Sequence, residues 1–460
     1  MTHPGEQFYP DGVRWDAPIA RGTLPDLLAT AVADYGSRPA LEFRDRPISF
    51  AELQARVDQV AAAFLRDGVG KGHSVALFLG NSPDHPINFF GALKAGARLV
   101  HLSPLDGEIA LSHKLTDSGA RVLVTSNLSA LLPMALRFLG KGLLDKLIVC
   151  EDDDWGAVGT PQTALPDDPR AITFKTFVAG APQPAQWPRI DVEDVALLQY
   201  TGGTTGLPKG AMLSHRNLTS AVSIYDVWGA KARAERNTVE RVICVLPLFH
   251  IYALTVILLG SIRYGNLISL HQRFDVGAVL RDIETKRATV FPGVPTMWIA
   301  IANDPSLESR DLSSLAIAGS GGAPLPVEVA KVFERKTGLT LKSGWGMTET
   351  CSPGTGHPPT GPDKPGSIGL MLPGIELDVV ALDDPSRVLS PNQTGEIRIK
   401  GPNVTRGYWN RPEETAEAFV GDRFLTGDIG YMDDDGYFYL VDRKKDMIIS
   451  GGFNVYPQMI

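Results

Sequence analysis

The sequence predicts an α/β protein with two α/β lobes followed by a small antiparallel β-barrel-like unit. Between residues 24 and 350, stretches of helical periodicity alternate with short apolar runs bounded by Gly, Pro or Asp, which is typical of βα units and largely parallel sheets. The strand candidates in this region outnumber the about 5–6 strands of an ordinary sheet, so we expect two sheets. After Pro365, apolar and polar residues alternate between turn signals, as in antiparallel strands. The predicted units are a first lobe at 1–188, a second lobe at 189–365 and a β-rich unit at 366–441.

Local signals support the individual elements. Ser49 and Glu52 form a capping box at the start of a helix that Gly68 ends. The apolar stretch 251–262 predicts a core helix, and the Pro-rich stretch 151–188 predicts a surface excursion between the lobes. The strand candidates in the lobes are 74–79, 98–102, 121–125, 146–150, 195–200, 241–246, 266–270, 288–291 and 314–319, and those in the β-rich unit are 375–382, 395–401 and 436–443.

Composition and charge exclude several classes of protein. The chain has 460 residues, 43% of them hydrophobic, and 44 Lys plus Arg against 52 Asp plus Glu give a net charge of −8. Such a chain folds into a core and has no general field for binding nucleic acid. Three widely spaced cysteines fit neither a disulfide framework nor metal knuckles, and the first residues lack the apolar core of a signal peptide. We therefore expect a cytoplasmic protein without a transmembrane segment.

The strongest local motif is YTGGTTGLPKG at residues 200–210, directly between a predicted strand and a predicted helix. Its glycines let backbone N–H groups converge on phosphate oxygens, and the Lys209 ammonium adds a charged contact. The loop is not a Walker A motif, because Leu207 and Pro208 follow Gly206 where Lys and a hydroxyl residue are needed. Neither a dinucleotide-binding G-x-G-x-x-G nor a hydrolase G-x-S-x-G is present. The sequence therefore predicts a polyphosphate grip of another kind.

Six motifs together resemble the adenylate-forming superfamily of acyl-CoA synthetases, adenylation domains and luciferases. In order they are TGGTTGLPKG (201–210), PLFHIY (247–252), GSGGAPLP (319–326), GWGMTET (344–350), TGDIG (426–430) and DRKKDMIISGGFNVYP (442–457). Within the superfamily the chain is most similar to bacterial fatty-acyl-CoA ligases, and the resemblance covers their large N-terminal domain. It implies that residues 442–460 are the hinge and the start of a C-terminal domain that is otherwise missing. A lysine of that domain serves adenylation, so the chain alone is expected to turn over poorly.

The resemblance and the chemistry of the side chains together imply site roles. Lys209, Thr204, Glu349 and His250 are expected in catalysis, with Glu349 as the Mg²⁺ ligand and His250 beside the substrate carboxylate. The acyl pocket is expected at His250, Val294, Thr296 and Met347, and the hinge at Asp442. The resemblance places Asp428 on the ribose. Trp345 is expected to stack on adenine, with a place in the core as the alternative. The nucleotide-binding residues expected are Thr201, Gly202, Gly203, Thr204, Thr205, Gly206, Lys209, Gly321, Gly322, Ala323, Gly344, Trp345, Gly346, Met347, Thr348, Asp428 and Arg443.

The implied reaction joins a carboxylic acid to CoA through an acyl-adenylate, with ATP, Mg²⁺ and CoA as cofactor or co-substrates. The apolar character of the segments around His250 and Val294 favours a medium- to long-chain fatty acid, while aryl and dicarboxylic acids stay open. A nucleotide- or acyl-adenylate-binding module with little turnover is the second hypothesis. The expected partners are these small molecules, without nucleic acid, and both a monomer and a homodimer stay open.

Overall fold

The structure is a computed structural model that describes residues 3–202, 207–359, 364–444, 446, 448–450 and 453–455. Its strands are β1 (Pro39–Phe43), β2 (Arg46–Ser49), β3 (Ser74–Phe78), β4 (Arg98–His101), β5 (Val122–Ser126), β6 (Lys146–Cys150), β7 (Ala171–Thr173), β8 (Val195–Thr201), β9 (Lys209–Ser214), β10 (Arg241–Cys244), β11 (Leu267–Leu270), β12 (Val290–Gly293), β13 (Ile317–Ser320), β14 (Leu341–Trp345), β15 (Thr355–Gly356), β16 (Leu370–Met371), β17 (Glu376–Val380), β18 (Gly395–Lys400), β19 (Phe419–Val420), β20 (Arg423–Met432), β21 (Phe438–Arg443), β22 (Ile448–Ser450) and β23 (Phe453–Val455). Its α-helices are α1 (Leu24–Tyr35), α2 (Phe50–Arg66), α3 (Asp84–Lys94), α4 (Glu108–Ser118), α5 (Leu132–Gly140), α6 (Phe174–Val178), α7 (His215–Arg236), α8 (Gly260–Tyr264), α9 (Val276–Thr285), α10 (Pro295–Ala302), α11 (Val327–Thr337) and α12 (Pro412–Glu417).

The predicted capping box starts α2. The Ser49 hydroxyl accepts a hydrogen bond from the Glu52 N–H, and the Glu52 carboxylate accepts one from the Ser49 N–H. These two bonds satisfy N–H groups that have no partner inside the helix. The long helix α7 begins in the same way with Ser214 and Asn217. Both starts therefore follow from residues three positions apart in the sequence.

The first large sheet has seven strands in the order β7-β6-β5-β3-β4-β8-β9. All neighbours are parallel except β8 and β9, which form an antiparallel hairpin at one edge. Every residue of β3 and β5 is buried, which explains why these strands read as continuous apolar runs. The sheet places the predicted phosphate loop at the end of β8.

The second large sheet has nine strands in the order β16-β15-β14-β13-β12-β10-β11-β1-β2. Its central strands β11, β10, β12, β13 and β14 are parallel neighbours, with antiparallel pairs at both edges. The predicted lobe boundary at residue 188 does not separate the two sheets. Strands β1 and β2 precede it but join the second sheet, and β8 and β9 follow it but complete the first. Strand β1 pairs in parallel with β11, a partner that local sequence patterns do not reveal.

The β-rich unit is antiparallel, as predicted. Strands β17, β18, β20 and β19 form one sheet, and β21 pairs with β20. Its apolar side chains form a core of their own with Trp228 of α7 and with Tyr9 near the start of the chain. The Tyr9 hydroxyl donates a hydrogen bond to the carbonyl of Met371. The N-terminal segment thereby connects this unit to the rest of the molecule.

Two predictions about longer stretches have different outcomes. Residues 251–262 do form a buried core helix, in which Ala253–Leu259 has π-helical hydrogen bonding before α8 continues it. The stretch 151–188 is more ordered than a surface excursion, since it contributes β7 to the first sheet and α6, whose Phe177 is fully buried. Because this stretch is rich in proline, its sequence did not predict these short elements. Among the described residues, no helix combines the length and apolarity needed to cross a membrane.

Candidate active site

The β8–β9 hairpin carries the predicted phosphate loop. Thr201 and Lys209 lie directly opposite each other in the pair, so their side chains share one face of the sheet. The Lys209 Nζ atom lies 5.5 Å from the centre of the Tyr408 ring, within reach of a cation–π contact. Gly202 is described and exposed, whereas the expected phosphate contacts Gly203, Thr204, Thr205 and Gly206 lie outside the described residues.

Glu349 lies in a short turn after β14 and is only 5% exposed. Its Oε1 accepts a hydrogen bond of 2.9 Å from the Tyr408 hydroxyl, and the Thr201 side chain lies near enough to act against the rise of its pKa. Burial raises the pKa of the Glu349 carboxyl above its ordinary value, and the charge of Asp428 acts in the same direction. In the part of the chain that the structure describes, no Lys or Arg forms an ion pair with this carboxylate. A buried carboxylate without a protein cation suits a hard divalent cation, so the residue present fits the Mg²⁺ role.

The backbone that follows Glu349 is strained and held from outside. Cys351 and Ser352 have φ angles of 54° and 97°, in a region that residues other than glycine rarely adopt. The fully buried Asn403 donates hydrogen bonds to the carbonyls of Thr350 (2.7 Å) and Pro353 (2.8 Å), on either side of the strained pair. A side chain at Gly346 would meet the Ser352 carbonyl at 1.4 Å. Position 346 therefore requires glycine.

Asp428 is the second buried carboxylate of the site. The Trp345 indole N–H donates to its Oδ2 at 2.7 Å, and the Arg443 guanidinium lies 3.5 Å from its Oδ1. Asp428 and Arg443 are opposite each other in the β20–β21 pair, and the next pair contains the predicted hinge residue Asp442, which is buried. Trp345 itself packs in the core of the β-rich unit. The indole thus packs in this core with its N–H toward Asp428.

A glycine-rich wall follows β13. The Tyr252 ring packs on Gly321 so closely that a Cβ there would lie 2.9 Å from the ring, and Gly322, with φ of 80°, lies beside Val294. His250 is exposed, and its Nδ1 accepts a hydrogen bond from the Tyr252 N–H at 3.3 Å. Five other predicted site residues are exposed or half-buried: Thr296, Ala323, Gly344, Met347 and Thr348. The segment after β10, the ends of β12 and β13 and the start of α10 therefore form one apolar wall.

Comparison with known proteins gives the family. A family model described as AMP-binding enzyme matches residues 28–409, which is most of the chain. This chain belongs to the AMP-binding enzyme family. The predicted resemblance to adenylate-forming enzymes and the predicted fold are thereby confirmed.

Three relatives of this AMP-binding enzyme show how far the likeness extends. A long-chain-fatty-acid CoA ligase of Bacillus subtilis (strain 168) is 34% identical over 98% of this chain and 82% of its own. A feruloyl-CoA synthase of an Amycolatopsis species is 38% identical over 89% of this chain and 76% of its own. The crystal structure of ATP-bound MatB from Rhodopseudomonas palustris superposes with a TM-score of 0.82 at 29% identity, covering 95% of this chain and 82% of that one.

The structure of this AMP-binding enzyme also reveals site residues that the sequence motifs missed. Tyr408 and Asn403 hold the Glu349 turn, and Tyr252 covers the glycine wall. Tyr252 was within reach of sequence reasoning, since it lies in the PLFHIY motif. Tyr408 and Asn403 carry no local signal, because each contacts a turn more than 50 residues away.

Proposed function

We propose that this AMP-binding enzyme is an ATP-dependent acid:CoA ligase. The proposal rests on the position of the buried Glu349 beside the β8–β9 hairpin. Tyr408 donates a hydrogen bond to this carboxylate, and its ring lies next to the Lys209 ammonium at the start of β9. Asp428 lies near enough to raise the pKa of Glu349, which connects the predicted ribose end to the predicted phosphate end. The names of the ligase and synthase relatives support the same reaction class.

In the first step an oxygen of the substrate carboxylate attacks the α-phosphorus of ATP, and pyrophosphate leaves with the electron pair of the broken P–O bond. The Lys209 ammonium and the N–H groups of the hairpin stabilise the negative charge that develops on the phosphate oxygens. Mg²⁺ held by Glu349 would add positive charge beside these oxygens. Asp428 and Trp345 orient the nucleoside. No side chain of the enzyme acts as a nucleophile, so positioning and electrostatics carry the step.

In the second step the CoA thiolate attacks the carbonyl carbon of the acyl-adenylate. A thioester bond forms, the acyl–phosphate bond breaks, and AMP leaves with the electron pair. His250 lies at the exposed rim of the apolar wall, beside Tyr252, where a reacting carboxylate or acyl-adenylate carbonyl would enter.

We propose a medium- to long-chain fatty acid as the substrate. The wall formed by Tyr252, Val294 and the glycines that follow β13 is apolar, and the fatty-acid ligase relative spans nearly the whole chain. An aryl acid is the second candidate, because the flat Tyr252 ring on Gly321 offers a stacking surface and a feruloyl-CoA synthase is 38% identical. A dicarboxylic acid would need a cation at the far end of the wall.

A panel of fatty, aryl and α,ω-dicarboxylic acids separates these substrates. Pyrophosphate release is measured for each acid with ATP and Mg²⁺, and thioester formation is measured after adding CoA. We expect both signals to depend on the acid and to be highest with fatty acids of medium or greater length. Highest rates with aryl acids would select the second candidate. ATP consumption that is indifferent to every acid would contradict the ligase proposal.

A further inference from the structure

Residues 402–409 lie between β18 and α12, and we call them the 402–409 segment. This segment connects the β8–β9 hairpin to the short turn that contains Glu349. On one side the segment pairs with β9. The Met212 N–H donates to the Gly407 carbonyl at 2.9 Å, and the Trp409 N–H donates to the Gly210 carbonyl at 2.8 Å. The Thr405 hydroxyl donates to the Met212 carbonyl at 2.8 Å. The segment therefore lies along β9 like a short additional strand.

On its other side the same segment contacts the Glu349 turn. The Thr405 N–H donates to the Glu349 carbonyl at 2.7 Å, and Asn403 holds the strained residues that follow. The Asn217 side chain, in the first turn of α7, donates to the carbonyls of Pro402 and Val404 and fixes the start of the segment. Backbone and side-chain bonds thus set the distance between the hairpin and the turn.

Tyr408 lies near the end of the segment and contacts two charged groups. Its hydroxyl donates to Glu349 Oε1 at 2.9 Å, and the Lys209 ammonium lies 5.5 Å from its ring centre. Its own N–H donates to the Thr415 hydroxyl at 2.9 Å, which anchors the backbone to α12. The hydroxyl thus contacts the Glu349 carboxylate, and the ring contacts the Lys209 ammonium. Tyr408 thus contacts both Lys209 and Glu349, although it lies in none of the six motifs of the sequence analysis.

We propose that Tyr408 is a positioning residue that sets the Glu349 carboxylate and the Lys209 ammonium at a fixed separation for a metal-bound polyphosphate. The inference rests on the proposed function of the same site. Its physical basis is that a partner bonded to a metal ligand orients that ligand, and that loss of such a partner typically costs about 10- to 100-fold in metal affinity. Because hydroxyl and ring act on different groups, their effects are separable.

The test compares Tyr408→Phe with Tyr408→Leu by calorimetry. The probes are AMP and α,β-methylene-ATP, each with Mg²⁺ and with EDTA. In Tyr408→Phe, we expect the gain in analogue affinity on adding Mg²⁺ to fall about tenfold, with AMP affinity nearly unchanged. In Tyr408→Leu, we expect analogue affinity to fall in EDTA as well, because the Lys209 ammonium loses the ring beside it.

Tyr9→Phe is the matched control, since it also removes a buried hydroxyl that donates a hydrogen bond, but at the β-rich unit. It should leave all four affinities unchanged. An undiminished Mg²⁺ effect in Tyr408→Phe would overturn the inference while leaving the ligase proposal intact. An equal loss of AMP affinity in that variant would also overturn it, as a sign of general distortion. Failure of the unaltered protein to bind either nucleotide would instead overturn the proposed function.

Discussion

Single residues divide the proposed ligase site into a phosphate side and a nucleoside side. Lys209 lies with Glu349 and Tyr408 on the first side, and Asp428 lies with Trp345 and Arg443 on the second. The two carboxylates are close enough for the charge of Asp428 to raise the pKa of Glu349. Substitutions on the two sides should therefore be distinguishable with nucleotides that differ only in the number of phosphates.

Lys209→Ala removes the ammonium group on the phosphate side of the proposed site. We expect ATP affinity to fall about 10- to 100-fold, because hydrogen bonds to charged groups contribute roughly 1.5–3 kcal/mol. AMP, which lacks the β- and γ-phosphates, should lose much less. Calorimetry with ATP analogue and AMP measures both, and Lys231→Ala, at a lysine paired with Asp11, is the control. Equal losses for the two nucleotides would place Lys209 elsewhere in the site.

Trp345→Phe keeps an aromatic ring in the core of the β-rich unit but removes the N–H that orients Asp428. We expect the affinities for AMP and ATP analogue to fall together, by about tenfold, with the effect of Mg²⁺ unchanged. Trp228→Phe removes a comparable buried indole hydrogen bond, to the carbonyl of His357, and serves as the control. The idea fails if Trp345→Phe binds AMP as tightly as the unaltered protein.

Among the elements, helix α7 has a built-in dependence on pH at its first residue. His215 is buried, and its Nδ1 accepts a hydrogen bond of 3.2 Å from the Leu24 N–H at the start of α1. Burial lowers the pKa of His215 to about 4, while the nearby carboxylates Asp194 and Asp26 act in the opposite direction. Protonation would place a hydrogen on the nitrogen that now accepts. The junction between the two helices therefore needs the neutral imidazole.

The sign of the effect follows from the two protonation states. Below an ordinary pKa of 6.5 the unfolded chain binds a proton at this position before the folded chain does, so stability falls as pH falls toward 4. We expect His215→Gln to reduce the loss of unfolding free energy between pH ~7 and pH ~5 by on the order of 2 kcal/mol. Urea unfolding of both proteins at the two pH values measures it. Identical pH dependence in the two proteins would show that His215 does not contribute.

On the scale of the whole molecule, a buried ion pair connects the two large sheets. Arg44, in the turn between β1 and β2, lies 2.8 Å from Asp152, which follows β6, and the two side chains are 11% and 3% exposed. We expect Arg44→Leu to lower the free energy of unfolding by about 3–5 kcal/mol, because it leaves a buried carboxylate without its cation. Chemical denaturation measures the change. Arg14→Leu, at an exposed pair with Asp16, should change it by less than about 1 kcal/mol.

What the sequence predicts well is local. The capping box at Ser49 and the strands of the parallel sheets depend on neighbours within a few residues. What it misses is set by contacts distant in sequence, such as that of Trp345 with Asp428 or of Tyr408 with Glu349. Such pairs form only after several elements pack together, and no spacing rule encodes them. The assignment of β1 to the second sheet was hidden for the same reason.

The pairing of β1 with β11 affects how the chain folds during synthesis. Strand β1 leaves the ribosome about 220 residues before β11, its parallel neighbour. At a synthesis rate of roughly 5–20 residues per second, the β1–β2 hairpin waits on the order of 10–45 s with an edge that its final partner has not yet covered. Strands β3 to β7 and the helices between them emerge during this interval. The hairpin therefore gives a chaperone that binds nascent apolar segments a long opportunity to bind.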